Sequence, residues 1–177
     1  PGNEYATQFA KLLGEYAPFL EVIRNLQKRG TKRLAIAKVA GELSPRSIRL
    51  DIDGTIAIAE LEDDVSPKTA QAFWRALPIE TDIWQDGWSG FASVFRLTPG
   101  AFVDLPEAEA AVCSMYPGTL VVAPHADRAF MAYGIAEYRD EAGTQYAARV
   151  ARVRQGWPDL QQKLSSLHDT GKEVLRI

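Results

Sequence analysis

The sequence predicts a mainly β protein: a small closed antiparallel β-barrel whose open ends are covered by two helices, preceded by a helical extension. Three observations support this fold class. An alternating hairpin precedes a proline-started helix, several short β-rich segments follow, and a second helix comes before a last alternating segment. Closing such a sheet into a barrel removes its unpaired edges.

The hairpin is the strongest local signal. Apolar and polar residues alternate over 48–52 and again over 56–58, and Asp53-Gly54 separates the two runs. An Asp-Gly pair in this position is typical of a type I′ turn, because both central residues of that turn have positive φ. The sequence therefore predicts two antiparallel strands joined by a tight turn.

The first helix of the barrel region begins in VSPKTAQAFWRAL, residues 65–77. Pro67 suits the first helical position, where its missing N–H costs nothing, and Ser66 is placed to cap the free amides of the first turn. Large apolar residues then recur at a spacing of three and four. One face of this helix is therefore apolar and needs a cover.

Four segments between the two helices are short, rich in β-formers and bounded by Gly or Pro, which predicts strands. They lie at 90–97, 118–124, 128–138 and 145–153. The second helix is predicted from Pro158 to about His168, with three leucines on one face and Gly171 as its end. The segment 172–177 alternates as a closing strand.

Composition and charge exclude several classes of protein. With 46% hydrophobic and 24% charged residues the chain is globular, and a net charge of −3 without a basic stripe argues against nucleic-acid binding. No apolar run approaches the roughly 20 residues of a membrane span, and no secretory signal is recognisable. Cys113 is the only cysteine, so an internal disulfide is excluded and a reducing, cytoplasmic compartment fits. The chain begins Pro1-Gly2 without methionine, which is compatible with removal of a preceding segment.

Two parts are predicted: a helical arm over 1–44 and a barrel domain over 45–177, divided where SPRS interrupts the pattern. Large apolar residues recur with helical period between Tyr5 and Leu26. A helix this apolar needs a cover. It packs either on its own barrel or on a second subunit, and we expect a homodimer contact.

The stretch SPKTAQAF, residues 66–73, resembles the cyclophilin segment in which a Pro-Lys-Thr-Ala run starts the helix after the first hairpin. Three later stretches resemble later cyclophilin elements in the same order: PGTLVVA at 117–123, RAFMAYG at 128–134 and GWPDLQQKL at 156–164. The resemblance covers 48–177 and implies a cyclophilin-like barrel. It also implies that Phe73 and Trp74 enter one end of that barrel.

Two short motifs, DGWSG at 86–90 and AYG at 132–134, look more like a bacterial branch of cyclophilin-like proteins of unknown function than like prolyl isomerases. Isomerases of this fold carry a Phe-His-Arg strand followed by Gln-Gly-Gly. Here Phe95 and Arg96 loosely match the phenylalanine and the arginine of that isomerase strand. No histidine precedes Arg96, however, and no Gln-Gly-Gly occurs. We therefore expect a non-isomerase binding or accessory domain, with a divergent prolyl isomerase as the alternative.

The candidate pocket combines one arginine with aromatic side chains and would bind a small polar or anionic metabolite. Alternation places Arg96 on the strand face opposite Phe95, where its guanidinium can hold a carboxylate or polarise a carbonyl; a plain surface arginine is the other interpretation. Aromatic rings line ligand pockets but also fill cores. The pocket residues are predicted to be Trp84, Trp88, Phe95, Arg96, Phe130, Tyr133 and Tyr138. Trp84 and Trp88 belong to a Gly-containing loop that would stand at the mouth.

Other reactive side chains are few. His125 and Asp127 form either an acid–base pair or an ordinary turn. A metal site needs further ligands, and the only other histidine, His168, lies on the second helix, so we predict no metal and no cofactor. Cys113 has no partner motif and is expected to be a small buried residue.

No nucleophile elbow, phosphate loop or dinucleotide fingerprint occurs.

Overall fold

The computed structural model describes residues 46–105 and 107–177. The predicted arm, the boundary near residue 44 and the proposed dimer contact lie outside these residues or at their edge and stay predictions. The strands are β1 Ser47–Ile52, β2 Thr55–Leu61, β3 Glu80–Gln85, β4 Gly90–Arg96, β5 Ala111–Val112, β6 Ser114–Met115, β7 Thr119–Ala123, β8 Arg128–Glu137, β9 Arg139–Asp140, β10 Gly143–Thr144, β11 Ala147–Gln155 and β12 Lys172–Arg176. The helices are α1 Pro67–Ala76 and α2 Trp157–Thr170, with a 3-10 turn over Pro124–Ala126.

Eight strands close into an antiparallel barrel. Their hydrogen-bonded order is β2-β1-β12-β3-β4-β8-β7-β11, and β11 pairs back onto β2. The two short strands β5 and β6 add to the outside through β11 and β8, and β9 pairs with β10 as a separate hairpin. The predicted closed antiparallel barrel is therefore confirmed.

The first hairpin has the predicted turn. Asp53 and Gly54 have φ of 49° and 82°, and Ile52 lies opposite Thr55 across the turn. The Gly54 amide donates to Asp51 Oδ1 at 2.9 Å. The positive φ of both central residues is what the Asp-Gly pair supplies.

Two apolar clusters lie on opposite faces of the sheet. The larger fills the barrel, and its fully buried members include Leu50, Ile52, Ile83, Phe95, Leu120 and Met131. The smaller lies on the outer face of β4, β7 and β8 and includes Val94, Val121, Phe130 and Ala132, packed with Met115 and Tyr138. The outer face of the sheet around β8 is therefore covered by apolar side chains of this chain itself.

The two helices cover the barrel as predicted, with one correction. Phe73 on α1 is fully buried in the barrel cluster, and the predicted leucine stripe of α2 is buried as well. Trp74, in contrast, is 39% exposed and lies under the Arg46 guanidinium, 5.2 Å from the ring centroid. Consecutive helical residues differ by about 100° in direction, so only one of the two rings can enter the barrel.

The N-terminus of α1 is capped by a distant carboxylate. The prediction that Ser66 caps this helix is wrong, because its side chain makes no cap hydrogen bond and Ser66 Oγ instead donates to Glu109 O at 3.3 Å. Glu109 Oε2 accepts from the Thr69 amide at 2.7 Å and from Thr69 Oγ1 at 3.0 Å. A carboxylate at this position also complements the helix dipole. Nothing local in the sequence links residues 69 and 109.

We expect Glu109→Ala to destabilise the protein by about 2 kcal/mol, since the change removes a cap and leaves the buried Thr69 hydroxyl without its acceptor. Urea denaturation followed by circular dichroism measures the loss. Glu107→Ala is the matched control, because Glu107 is an exposed glutamate of the same segment. Equal stability of the two variants would contradict the assignment of the cap to Glu109.

Candidate functional site

The outer face of β3, β4 and β8 brings several predicted site residues together. Trp84 on β3 lies opposite Val94 on β4, which lies opposite Phe130 on β8. Residues directly opposite one another in antiparallel strands share a face. Arg96 follows two residues after Val94 in an unbroken register and therefore projects from this same outer face.

Arg96 has a second arginine directly opposite it. The β4–β8 register pairs Arg96 with Arg128, and both side chains are exposed. Neither guanidinium forms a hydrogen bond or an ion pair with another described residue. Like charges directly opposite on neighbouring strands repel each other. We call Arg96 and Arg128 the arginine pair.

The nearest position on β3 does not neutralise the arginine pair. Asp82 precedes Ile83, which lies opposite Phe95, so Asp82 occupies the β3 position beside Arg96. Its carboxylate accepts from Lys172 Nζ at 2.7 Å and forms an ion pair with that residue. The arginine pair is therefore a site of concentrated positive charge open to solvent, in a chain whose net charge is −3.

Two aromatic rings beneath this face are buried. Phe130 and Tyr138 are 1% and 2% exposed, with ring centroids 4.5 Å apart. Burial raises the pKa of Tyr138; the nearby Asp140 and Asp86 carboxylates raise it further, and Arg128 opposes them. The two rings thus form a packed support beside the arginine pair, and they do not line an open cavity.

Two further rings border the same support. Trp84 is half-buried and packs against the outer cluster. The exposed His125 ring lies 6.3 Å from the Tyr138 ring, measured between centroids. An indole and an imidazole beside two guanidinium groups that pair with no other described residue can contact the body of a ligand whose anionic group binds the arginines.

Three predicted pocket residues lie elsewhere. Phe95 is inside the barrel, and Trp88 is 62% exposed in the β3–β4 turn. Tyr133 also points inward, where its hydroxyl donates to Gln85 Oε1 at 2.6 Å and burial raises its pKa. The structure therefore separates three residues from the outer group: Phe95 and Tyr133 belong to the barrel cluster, and Trp88 lies in the turn.

The predicted loop containing both tryptophans is only half correct. Trp84 belongs to β3, which pairs with β12 on one side and β4 on the other, and only Trp88 lies in the turn. The signal for β3 is weak because Glu80, Thr81 and Asp82 give its first half no apolar alternation.

The remaining candidates take ordinary positions. His125 lies in the 3-10 turn, and Asp127 ends that turn with φ of 46°. Cys113 is only partly buried, contrary to the expectation of a small buried residue, and its Sγ lies 3.9 Å from Ser114 Oγ. Across residues 46–105 and 107–177, no three His, Cys, Asp or Glu side chains form a group that could hold a metal ion. Neither helix in this part of the chain has the length and apolar character that crossing a membrane requires.

Arg128 is the functional candidate that sequence reasoning missed. The sequence signal for Arg128 is that it lies two residues before Phe130 in the predicted strand 128–138, so both residues share one face of that strand. What makes it important is its partner on β4. The β4–β8 register, which is a property of the folded sheet, brings the two arginines together.

Fold and site together define a closed antiparallel β-barrel protein with two opposed arginines on its outer face. No family model and no curated protein sequence matches the chain. Among solved structures it is similar to McbB, determined in complex with tryptophan, with a TM-score of 0.60 and 16% identity over 74% of this chain and 43% of McbB. It is also similar to the hypothetical protein AF2241 from Archaeoglobus fulgidus, with a TM-score of 0.51 and 13% identity over 78% of this chain and 97% of AF2241.

These likenesses concern architecture. The chain spans less than half the length of McbB. At 16% and 13% identity the comparisons show a shared fold alone, and one fold hosts unrelated sites.

Proposed function

We propose that the protein binds a small anionic metabolite at the arginine pair, as a binding or accessory domain with a cyclophilin-like barrel. The observation that carries this proposal is that Arg96 and Arg128 face each other without an acidic partner among the described residues. A carboxylate or phosphate placed between them accepts charge-assisted hydrogen bonds from both groups. The bound anion also removes the repulsion between the two guanidinium groups.

The surroundings favour a ligand with a flat or apolar body. Trp84 lies on the strand beside β4, and His125 lies against the Tyr138 ring, so aromatic surface is present next to the positive charge. Small-molecule sites commonly combine aromatic contact area with a few polar groups that fix orientation. A rigid barrel holds the two strands in register, which reduces the ordering that binding requires.

Catalysis of prolyl isomerisation is the alternative, and the same face argues against it. An isomerase needs an open apolar cavity for the proline ring, and Phe130 is buried in the outer cluster with its ring packed against Tyr138. The chain also lacks the histidine and the Gln-Gly-Gly run of the isomerases it resembles. We therefore rank binding above isomerisation.

Isothermal titration at low ionic strength tests the proposal with a panel of mono- and dicarboxylates and phosphate monoesters. We expect at least one probe to bind, and Arg96→Ala and Arg128→Ala each to weaken it about tenfold or more, because a hydrogen bond to a charged group contributes about 1.5–3 kcal/mol. Arg176→Ala is the control, since Arg176 is an exposed strand arginine paired with Glu80 at 3.0 Å. Added salt should weaken binding.

Two results would overturn this function. Equal affinity of the parent protein and Arg96→Ala would remove the arginine pair from binding. In a protease-coupled proline-peptide assay, turnover that is lost in Arg96→Ala or Phe130→Ala would establish the isomerase alternative instead.

A further inference from the structure

An open groove of about 720 Å³ lies where β4 and β8 meet α2. Its lining includes Phe91, Tyr133, Ile135, Gln161, Ser165 and Asp169. We call it the α2 groove. Neither member of the arginine pair lines it, so the groove is separate from the arginine pair.

An exposed aromatic ring forms the floor of the α2 groove. Phe91 is 60% exposed and meets Tyr133 edge-to-face, with centroids 5.9 Å apart and planes at 76°. The ring lies across β8 at Gly134, where a Cβ would come within 2.7 Å of Phe91 Cβ. Gly134 therefore allows Phe91 to occupy this place, and a large apolar ring is held open to solvent.

The β4–β8 ladder is irregular at this point. Gly90 lies opposite Ala136 and Ala92 opposite Ala132, so that Phe91 alone faces the three residues between 132 and 136. Bulges of this kind redirect side chains and are frequent beside binding sites. Here the irregularity coincides with the exposed ring.

The wall of the groove is one face of α2, and it carries no positive side chain. Pro158, Gln161, Gln162, Ser165 and Asp169 line it at helical spacing, and no lysine or arginine is among the lining residues. Gln161 Nε2 donates to Tyr133 O at 2.8 Å, which fixes that amide against β8. The wall thus offers neutral hydrogen-bonding groups and one carboxylate.

The carboxylate of Asp169 lies at the end of α2 where the helix dipole already places partial negative charge. Asp169 lies in the last turn of α2, whose exposed carbonyl groups carry partial negative charge and disfavour an acid. Asp169 forms no ion pair with any other described residue. Its charge and that of the helix terminus therefore add at one end of the groove, and an anionic ligand is disfavoured there.

We propose that the α2 groove binds an organic ammonium ion, with its charged head over the face of Phe91 and its charge complemented by Asp169. A cation over an aromatic face gains about 0.5–2 kcal/mol, depending on how far it is desolvated. The apolar body of the ligand packs on Ile135 and Tyr133, and the glutamine and serine side chains accept its hydrogen bonds. This site differs from the arginine pair in the sign of the charge it selects.

The test compares choline with its neutral isostere 3,3-dimethylbutan-1-ol by titration followed in amide NMR spectra. We expect choline to bind at least threefold more tightly than the isostere and to shift resonances of residues 133–135 and 165–169. Phe91→Leu, which keeps an apolar side chain but removes the ring, and Asp169→Asn should each weaken choline binding about threefold or more.

The controls are Tyr146→Leu, at an exposed aromatic ring outside the groove, and Glu141→Gln, at an exposed carboxylate outside it. Both should bind choline like the parent protein, and so should Arg96→Ala, which keeps this result independent of the anion site. Equal binding of choline and the isostere, unchanged affinity in both groove variants, or no saturable choline binding would overturn the proposal.

Discussion

Phe73→Ala is expected to destabilise the protein by about 3–5 kcal/mol, which is the usual cost of removing a fully buried phenylalanine from a packed core. Phe73 is the large side chain of α1 that enters the barrel cluster, and it is 0% exposed. Because the barrel is a closed cylinder, the surrounding strands can collapse only partly into the space left behind. Urea denaturation followed by tryptophan fluorescence measures the change.

Trp74→Ala is the matched control for this prediction. Trp74 is the next residue of the same helix, but it faces outward and contacts Arg46. We expect its removal to cost no more than about 1 kcal/mol, the value of an exposed cation–π contact. Similar losses in the two variants would show that α1 does not close the barrel through Phe73.

Gly156→Ala is expected to destabilise by about 3 kcal/mol, from two effects that act together. Gly156 joins β11 to α2 with φ of 72°, a conformation that costs an alanine about 1–2 kcal/mol. A Cβ at this position would also lie 2.5 Å from Ile56 O and 3.1 Å from Ala57 Cα. These are backbone atoms of β2, which cannot rotate away, so the strand itself has to shift.

Gly54→Ala separates the two effects. Gly54 is the second turn residue of the first hairpin, with φ of 82°, but a Cβ there would meet no atom within 4 Å. We expect this variant to lose only the conformational part, about 1–2 kcal/mol. If Gly156→Ala were no more damaging than Gly54→Ala in thermal or urea denaturation, the close approach of β2 to the start of α2 would be contradicted.

The two proposed sites make different demands on the same barrel. The arginine pair depends on the β4–β8 register, which keeps two like charges opposite each other. The α2 groove depends on the irregularity of that same ladder at Gly90 and Ala92, which leaves Phe91 exposed. One strand pair therefore holds the arginine pair where its register is regular and borders the α2 groove where it is not.

Local patterns were sufficient for the elements whose signal is contained in a few neighbouring residues. The Asp53-Gly54 turn, the start of α1 at Pro67 and the leucine face of α2 all depend on spacing along the chain, and the structure has each of them. The strand β3 was missed because its first half is polar, and its strand conformation comes from pairing on both sides.

The same contrast between local signals and long-range contacts applies to the fold as a whole and to the candidate site. Residue periodicity was sufficient to predict a mainly β chain with two helices and to place Arg96 on the strand face opposite Phe95, and the order of the elements added the expectation of a closed barrel. Three features depend on the folded chain: Arg128 faces Arg96, Glu109 caps α1, and Phe73 rather than Trp74 fills the barrel. Strand register and packing join residues that are far apart in the chain, and periodicity carries no information about which distant segments meet.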